Sequence, residues 1–444
     1  MSGIRIPSIE EFGLSDNFVK AYSDRVKHGV TDHPGFCIPP AIVSANYMQE
    51  IVDDSLFIIN KIFEIPDTVF QGNYEKLGFA LGMEPRHTRF IMSFLNDYWI
   101  THVKDFIRPD ILFSALGHKF IEFNITAAIG GAGLCDMHMQ HFLESAESNR
   151  IKLKTMGLES EPLALKWVHL LHELLISTKT APALYPVFCS ATFDFDQTLE
   201  DDFTLHEFRV VLERYGFKHI TAPITDIAVS ESGVHYCGQE IDILFTDFTY
   251  SQYLSRHAEL DGVEKFVRAH ERGDILFISP PTSMFFDNKL VLSFLTDEKY
   301  QNFYSPEDFS RLKRLVPKTR SLADCDLQEV INNRSLYVVK PSFDYGGNNV
   351  HIGASRTHED WVAILSEIRV DASKWAVQEL VQDQGGVFDP LQHADVNVCL
   401  GPIFFDCKYA GSLYRDALVK YTGSVINASI GARYSSVFLG KEDD

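Results

Sequence analysis

Apolar residues recur at helical spacing through NYMQEIVDDSLFIINKIFE, residues 46–64, with Ile51, Leu56, Ile59, Ile62 and Phe63 marking the period. A helix is expected there, and a second over 87–105. The period then falls to two. Short strands are expected around 111–113 and 120–123, joined by SALGHK, where Gly117 suits a turn. PLALKWVHLLHELLIST, residues 162–178, returns to helical spacing, with Pro162 placed for the first turn.

From about residue 182 the pattern alternates. YPVFCSATF reads as a strand and TLHEFRVVLERYGF as a helix ended by Gly216. KHITAPI is a strand, and VHYCGQEIDILFTDF holds a hairpin followed by a buried strand. That order predicts a small α/β domain over 182–285. From 286 onward, NKLVLSFL predicts a helix and SLYVVKPSFDYGGNNVHIG a strand, a glycine-rich turn and a strand. A helix over 357–369, the strand WAVQELV and a long antiparallel pair over 396–419 follow. The whole is α+β in order rather than a succession of βαβ units. Three regions are expected: 1–181, mainly helical with the 108–124 hairpin; 182–285; and 286–444.

Composition narrows the classes. The chain has 444 residues, 45% hydrophobic and 23% charged, which is the make-up of a folded protein. Forty Lys and Arg against 61 Asp and Glu give a net charge of −21. A field of that sign disfavours nucleic acid and anionic membranes as partners, but leaves room for a local basic pocket. The seven cysteines are scattered with no CxxC pair, as expected of free thiols in a reducing cytoplasm. MSGIRIPSIEEFG has no signal-peptide core, and no stretch reaches the roughly 18 apolar residues of a membrane helix. A cytoplasmic protein is expected. The spacing Cys135, His138, His141 resembles a zinc motif, but positions i, i+3 and i+6 of a helix fan across a wide arc and no fourth ligand matches.

The candidate chemistry starts in RPDILFSALGHKFIEFN, residues 108–124. Glu122 and Asn124 share one face of their strand by alternation, and pairing of the two strands would bring Asp110 near Glu122. Two carboxylates and an amide oxygen make a hard-oxygen set suited to Mg²⁺, and Arg108 beside them suits a phosphate. In VVKPSFDYGGNNV a β-branched strand runs into Lys340, where an inward lysine needs an anion. Ser342 follows, and Gly346 and Gly347 form a turn whose N–H groups suit phosphates. Lys289 precedes the helix of DNKLVLSFL, where a cation opposes the helix dipole unless an anion lies nearby. Gln378 and Glu379 interrupt an otherwise apolar strand. Arg415 follows an apolar hairpin and Asn427 a further strand. Each of these alone also reads as a polar strand face or a surface side chain.

Taken together and in this order, they resemble the circularly permuted ATP-grasp ligases, the group of glutathionylspermidine synthetase and related peptide ligases, over roughly residues 40–435. The resemblance implies a permuted ATP-grasp fold with a small central α/β domain. It implies Mg²⁺ on Asp110, Glu122 and Asn124, and ATP held by Lys289, Lys340, Ser342, Gly346 and Gly347, with the Gln378–Glu379 strand beside the adenine. Arg108 and Arg415 would steady the reacting groups. The activity implied is ATP-dependent amide-bond formation between a small-molecule or peptide carboxylate and an amine, through an acyl phosphate. An ATP-grasp phosphotransferase and a catalytically inactive nucleotide-binding protein are the alternatives. Three departures stand out. Ile-Thr-Ala-Ala follows Asn124 where the spermidine-conjugating branch has Asp-Thr-Pro. Asn348 stands where relatives often have a basic residue. FTDF, at 245–248, replaces an arginine-containing strand.

Overall fold

The computed structural model describes residues 3–27, 35–127, 129–145, 150–179, 182–192, 203–246, 263–278, 281–344, 347, 349–381, 386–419, 426 and 431–441. Its longest helix, Ala45–Thr68, covers the first predicted one. Ser44 caps it by accepting from the N–H of Tyr47, and its buried face includes Met48, Ile51, Ile58, Ile59, Ile62 and Ile65. The continuous helix expected over 87–105 is instead two short ones, Pro85–Met92 and Asp97–His102. Asn96 explains the break: its side chain accepts from the N–H of Trp99 and restarts the helix, a local bond that competes with continuation of the turn before it. Residues 106 onward are already strand. The helix Leu163–Thr178 has Pro162 at its N-cap.

Mixed α/β architecture is organised around five sheets among the described residues. The predicted central α/β segment holds a parallel sheet in the order Leu276–Phe277, Ile243–Thr246, Val187–Thr192, Lys218–Pro223. Its inner strands, Val187–Thr192 and Ile243–Thr246, are buried throughout, as expected for a parallel sheet covered on both faces. Asp247 and Phe248 of FTDF lie outside the described residues. A four-stranded antiparallel sheet runs Thr319–Ser321, Trp375–Glu379, Tyr337–Pro341, His351–Ile352. The largest sheet is antiparallel and joins distant parts of the chain. Arg433–Ser435, Lys408–Leu418, Ala394–Phe405, Phe106–Ser114 and Gly117–Ile125 lie in that order, and Val387–Asp389 also pairs with Ala394–Phe405. No helix among the described residues is long and apolar enough to cross a membrane.

The helix Ala132–Ser145 carries Cys135 and His138 of the CxxHxxH run as packing groups. The thiol of Cys135 points to the carbonyl oxygen of Ser435 at 3.7 Å, and the buried ring of His138 stacks on Phe36 with 4.8 Å between centroids. Burial pushes His138 down to about 3, assisted by the positive charge of His141. Burial likewise pushes His219 and His270 down to about 4. All three therefore stay neutral in the folded chain at pH values where the unfolded chain takes up protons. Their share of stability is intact above about pH 6.5 and is lost as pH falls, by about 1.4 kcal/mol per pH unit and histidine. Urea unfolding from pH 7.5 to pH 5 should show this loss, and His138→Leu should make the slope shallower by one proton.

Candidate functional site

The two strands at the centre of the candidate chemistry pair as the alternation implied. Arg108 lies opposite Asn124 and Asp110 opposite Glu122, with a bulge between Asp110 and Ile111. The turn is Ala115–Leu116, and Gly117, at φ 102°, opens the return strand in a conformation that favours glycine. Ala394–Phe405 lies on the other side of Phe106–Ser114, and Lys408–Leu418 lies beyond it, with Cys399 opposite Arg415. Arg415 is thus in mid-strand and 4% exposed, not at an open strand end.

These strands gather a dense ionic cluster. Asp110 Oδ1 meets Arg415 Nη2 at 2.6 Å and Arg108 Nε at 3.2 Å. Arg108 Nη1 also donates to the carbonyl oxygens of Ile129 and Gly130, the latter at 2.9 Å. Gly130 and Gly131, at φ 62° and 83°, turn this loop through the left-handed region. Arg108 is therefore a clamp between the hairpin and the AIGG loop. It lies over Gly401, where a Cβ would come within 2.9 Å of Arg108 Cδ. Arg415 Nη2 donates to Cys399 Sγ at 3.2 Å, while its buried Nε has no acceptor among the described residues.

The lysines approach from the other side. Lys289 Nζ pairs with Glu122 Oε1 at 3.0 Å and donates to the carbonyl oxygen of Asp344 at 2.5 Å. Its backbone N–H donates to the carbonyl of Ser342, and the N–H of Ser342 to the carbonyl of Lys374. Lys340 is 6% exposed and donates to the carbonyl oxygen of Ile121 at 3.2 Å. The amide nitrogen of Gln378 reaches the same carbonyl and Thr319 Oγ1, whereas Glu379 is exposed. Gly347 is in a left-handed turn at φ 75°; Gly346, Asn348 and Asn427 lie outside the described residues.

The charges do not cancel within this group. Arg108, Arg415, Lys289 and Lys340 oppose Asp110 and Glu122, so the six carry two excess positive charges when ionised, inside a chain of net −21. Burial works against ionisation of Asp110, but the guanidiniums of Arg415 and Arg108 hold its carboxyl below the usual range. Burial, with the like charge of Lys289, pushes Lys340 down to about 8 even though Glu122 favours its charge. A cluster of this kind is matched by a polyanion. For a metal, Asp110, Glu122 and Asn124 supply the hard oxygens that Mg²⁺ takes. The amide nitrogen of Asn124 is committed to the carbonyl of Arg108 at 3.0 Å, which leaves its oxygen as the donor end, so the donor set fits. Cys399, Gly401, and the Ile121 and Asp344 carbonyls were not evident from the sequence. Backbone carbonyls and a glycine seat leave no residue-type signal, and Cys399 reads as one apolar residue of a buried strand.

No protein-family model matches the sequence, and neither does any curated protein. Among solved structures, the chain is similar to a glutathione synthetase-like effector from Globodera pallida in its apo form. The match covers 96% of this chain and 98% of that one, with a TM-score of 0.56 at 13% identity. It also matches a protein assigned as a gamma-glutamylcysteine synthetase from Methylobacillus flagellatus, over 82% of this chain and 87% of that one, at 10% identity and a TM-score of 0.39. D-cycloserine synthetase is matched over 58% of this chain and 76% of that one, at 12% identity and a TM-score of 0.31. The first of these likenesses is one of overall fold: this chain is built on the architecture of the glutathione synthetase-like effector.

Proposed function

We propose that this chain is an ATP-dependent carboxylate–amine ligase that works through an acyl phosphate, on an ATP-grasp fold in circularly permuted order. The observation that carries the reading is the cluster of four cations and two carboxylates, drawn from the large antiparallel sheet, from the end of Tyr337–Pro341 and from the turn at Lys289, together with the resemblance of its residues, in their order, to that family. The fold likeness to a glutathione synthetase-like effector supports it. In this reading residues 1–181 carry the metal hairpin, 182–285 the substrate-side domain, and 286–444 the nucleotide-binding part.

Lys289 and Lys340 would exchange their present partners, Glu122 and backbone carbonyls, for the phosphates of ATP. Lys289 reaches the carbonyl of Asp344, three residues before Gly347 in the chain, and the backbone of Ser342 bonds to those of Lys289 and Lys374. Asp110, Glu122 and Asn124 would hold Mg²⁺, which supplies neutralisation of phosphate charge. A substrate carboxylate oxygen attacks the γ-phosphorus and ADP leaves. A neutral amine then attacks the acyl phosphate carbon, phosphate leaves, and the extra amine proton passes to solvent. Arg415 is better placed than Arg108 to meet the tetrahedral oxyanion, because its Nε–H has no acceptor among the described residues whereas Arg108 is tied to the loop.

The test is hydroxylamine trapping with ATP, Mg²⁺ and a panel of carboxylic acids. A hydroxamate, formed in step with ADP and free phosphate, is the expected product. Glu122→Ala should abolish ADP formation with the fold retained, and Arg415→Ala should suppress hydroxamate more than ATP binding. A stable phosphorylated product with no hydroxamate would establish a phosphotransferase instead. Nucleotide binding without turnover across the panel would establish a non-catalytic binding protein.

A further inference from the structure

A second group of metal-ligating side chains lies at the far end of the hairpin. Glu50 and Asp54, one helical turn apart on Ala45–Thr68, meet His118 at the start of the return strand. We propose that Glu50, Asp54 and His118 form a transition-metal site of the Zn²⁺ type, separate from the Asp110, Glu122, Asn124 oxygen set.

Among the described residues, this is the group of three His, Cys, Asp or Glu whose donor atoms all lie within 4.8 Å of one another. His118 Nε2 and Asp54 Oδ2 are 2.9 Å apart. Ligand atoms sharing a metal at about 2.0–2.2 Å stand roughly 3–3.5 Å from one another, so these two need little movement to share an ion. Both are 4% exposed and held in place, whereas Glu50 is exposed and free to swing its carboxylate in as the third donor. Its exposure also gives the ion a path from solvent.

The surroundings support the assignment. Asp54 Oδ1 accepts from Arg311 Nε at 3.1 Å and Nη2 at 2.6 Å. That leaves Oδ2 as the ligand oxygen and provides the kind of outer partner that orients a metal-bound carboxylate. Arg311 is itself held over the ring of Phe57, 4.1 Å from its centroid. With His118 neutral, Glu50, Asp54 and Arg311 sum to −1, and a divalent cation brings this group to +1. One imidazole with two carboxylates favours Zn²⁺ or a similar ion over Mg²⁺, which prefers all-oxygen, water-rich shells. The ion would tie the hairpin turn to the long helix, and through Arg311 to the helix Pro306–Leu315.

Calorimetric titration of the full chain with ZnCl₂ and, separately, MgCl₂ tests this without any assay of turnover. One saturable Zn²⁺ site that Mg²⁺ does not fill is expected. Glu50→Gln, an exposed change that leaves the fold in place, should weaken Zn²⁺ at least about tenfold, and Glu122→Ala should leave that site unchanged. Zn²⁺ should also raise the melting temperature of the parent chain but not of Glu50→Gln. The exposed thiol of Cys237 is present in every variant, so its binding does not imitate the pattern. An unchanged Zn²⁺ isotherm in Glu50→Gln, or loss of the site in Glu122→Ala alone, would overturn the proposal.

Discussion

Lys340→Met is expected to make the folded chain more stable and, on the proposed function, to weaken the binding of ATP. Lys340 is 6% exposed, with a carbonyl oxygen as its hydrogen-bond partner, and burial pushes it down to about 8. An unfolded lysine titrates near 10.4, so below pH 8 the folded state is penalised by roughly 3 kcal/mol for holding that charge. The penalty is full at pH 7 and fades as pH rises from 8 to 10.4, where the unfolded state binds the extra proton. Methionine keeps the length and removes the charge, so urea unfolding at pH 7 should shift by about 2–3 kcal/mol in favour of the variant, with little difference at pH 10. ATP binding should fall by about 10- to 150-fold, the equivalent of a lost charge-assisted contact of about 1.5–3 kcal/mol. Adenosine affinity should barely move. Loss of stability in Lys340→Met, or an equal loss for ATP and adenosine, would make Lys340 a structural residue.

Arg433→Met should be among the most damaging single changes in the chain, at about 3–5 kcal/mol. Arg433 bridges two deeply buried carboxylates, with Nη2 at 2.6 Å from Asp389 Oδ2 and 2.7 Å from Asp416 Oδ2, and Nε at 2.8 Å from Asp416 Oδ1. Asp389 and Asp416 are 1% and 0% exposed. Removing the guanidinium leaves two buried carboxylates facing each other without the cation that bridges them. Burial already raises the Asp416 carboxyl against the pull of Arg433. In the variant its folded-state value moves higher still, so stability should recover as pH falls and Asp416 takes a proton. Unfolding at pH 7 and pH 5 should show the deficit shrinking at pH 5, and Asp416→Asn should rescue part of it. A deficit under 1 kcal/mol at pH 7 would show that the two carboxylates do not need this arginine.

What the sequence disclosed here depended on periodicity. The Asp110–Glu122 register followed from period-two alternation through two short strands, and the structure pairs those positions. The helix Ala45–Thr68 and the long pair over 394–418 were legible because each repeats its pattern over many residues. The break near Asn96 was not, since a single capping bond outweighs an otherwise helical stretch. The depth of Arg415 was hidden too. Nothing local to YRDAL says that Ala394–Phe405 lies on one side of it and Arg433–Ser435 on the other. The contact between Asp54, His118 and Arg311 spans 257 residues, and no local pattern encodes a meeting at that separation.

Gly401 gives a way to judge other chains built on this fold. A methyl group there would meet the stem of Arg108 at 2.9–3.1 Å, a distance that side-chain atoms avoid, so Arg108 would have to leave its seat. With it would go the bridge from Asp110 to the carbonyls of Ile129 and Gly130. A homologue can therefore keep every charged residue of the cluster and still have lost its geometry through one alanine on the neighbouring strand. Survival of the site is better diagnosed by a missing side chain than by the ionic residues themselves.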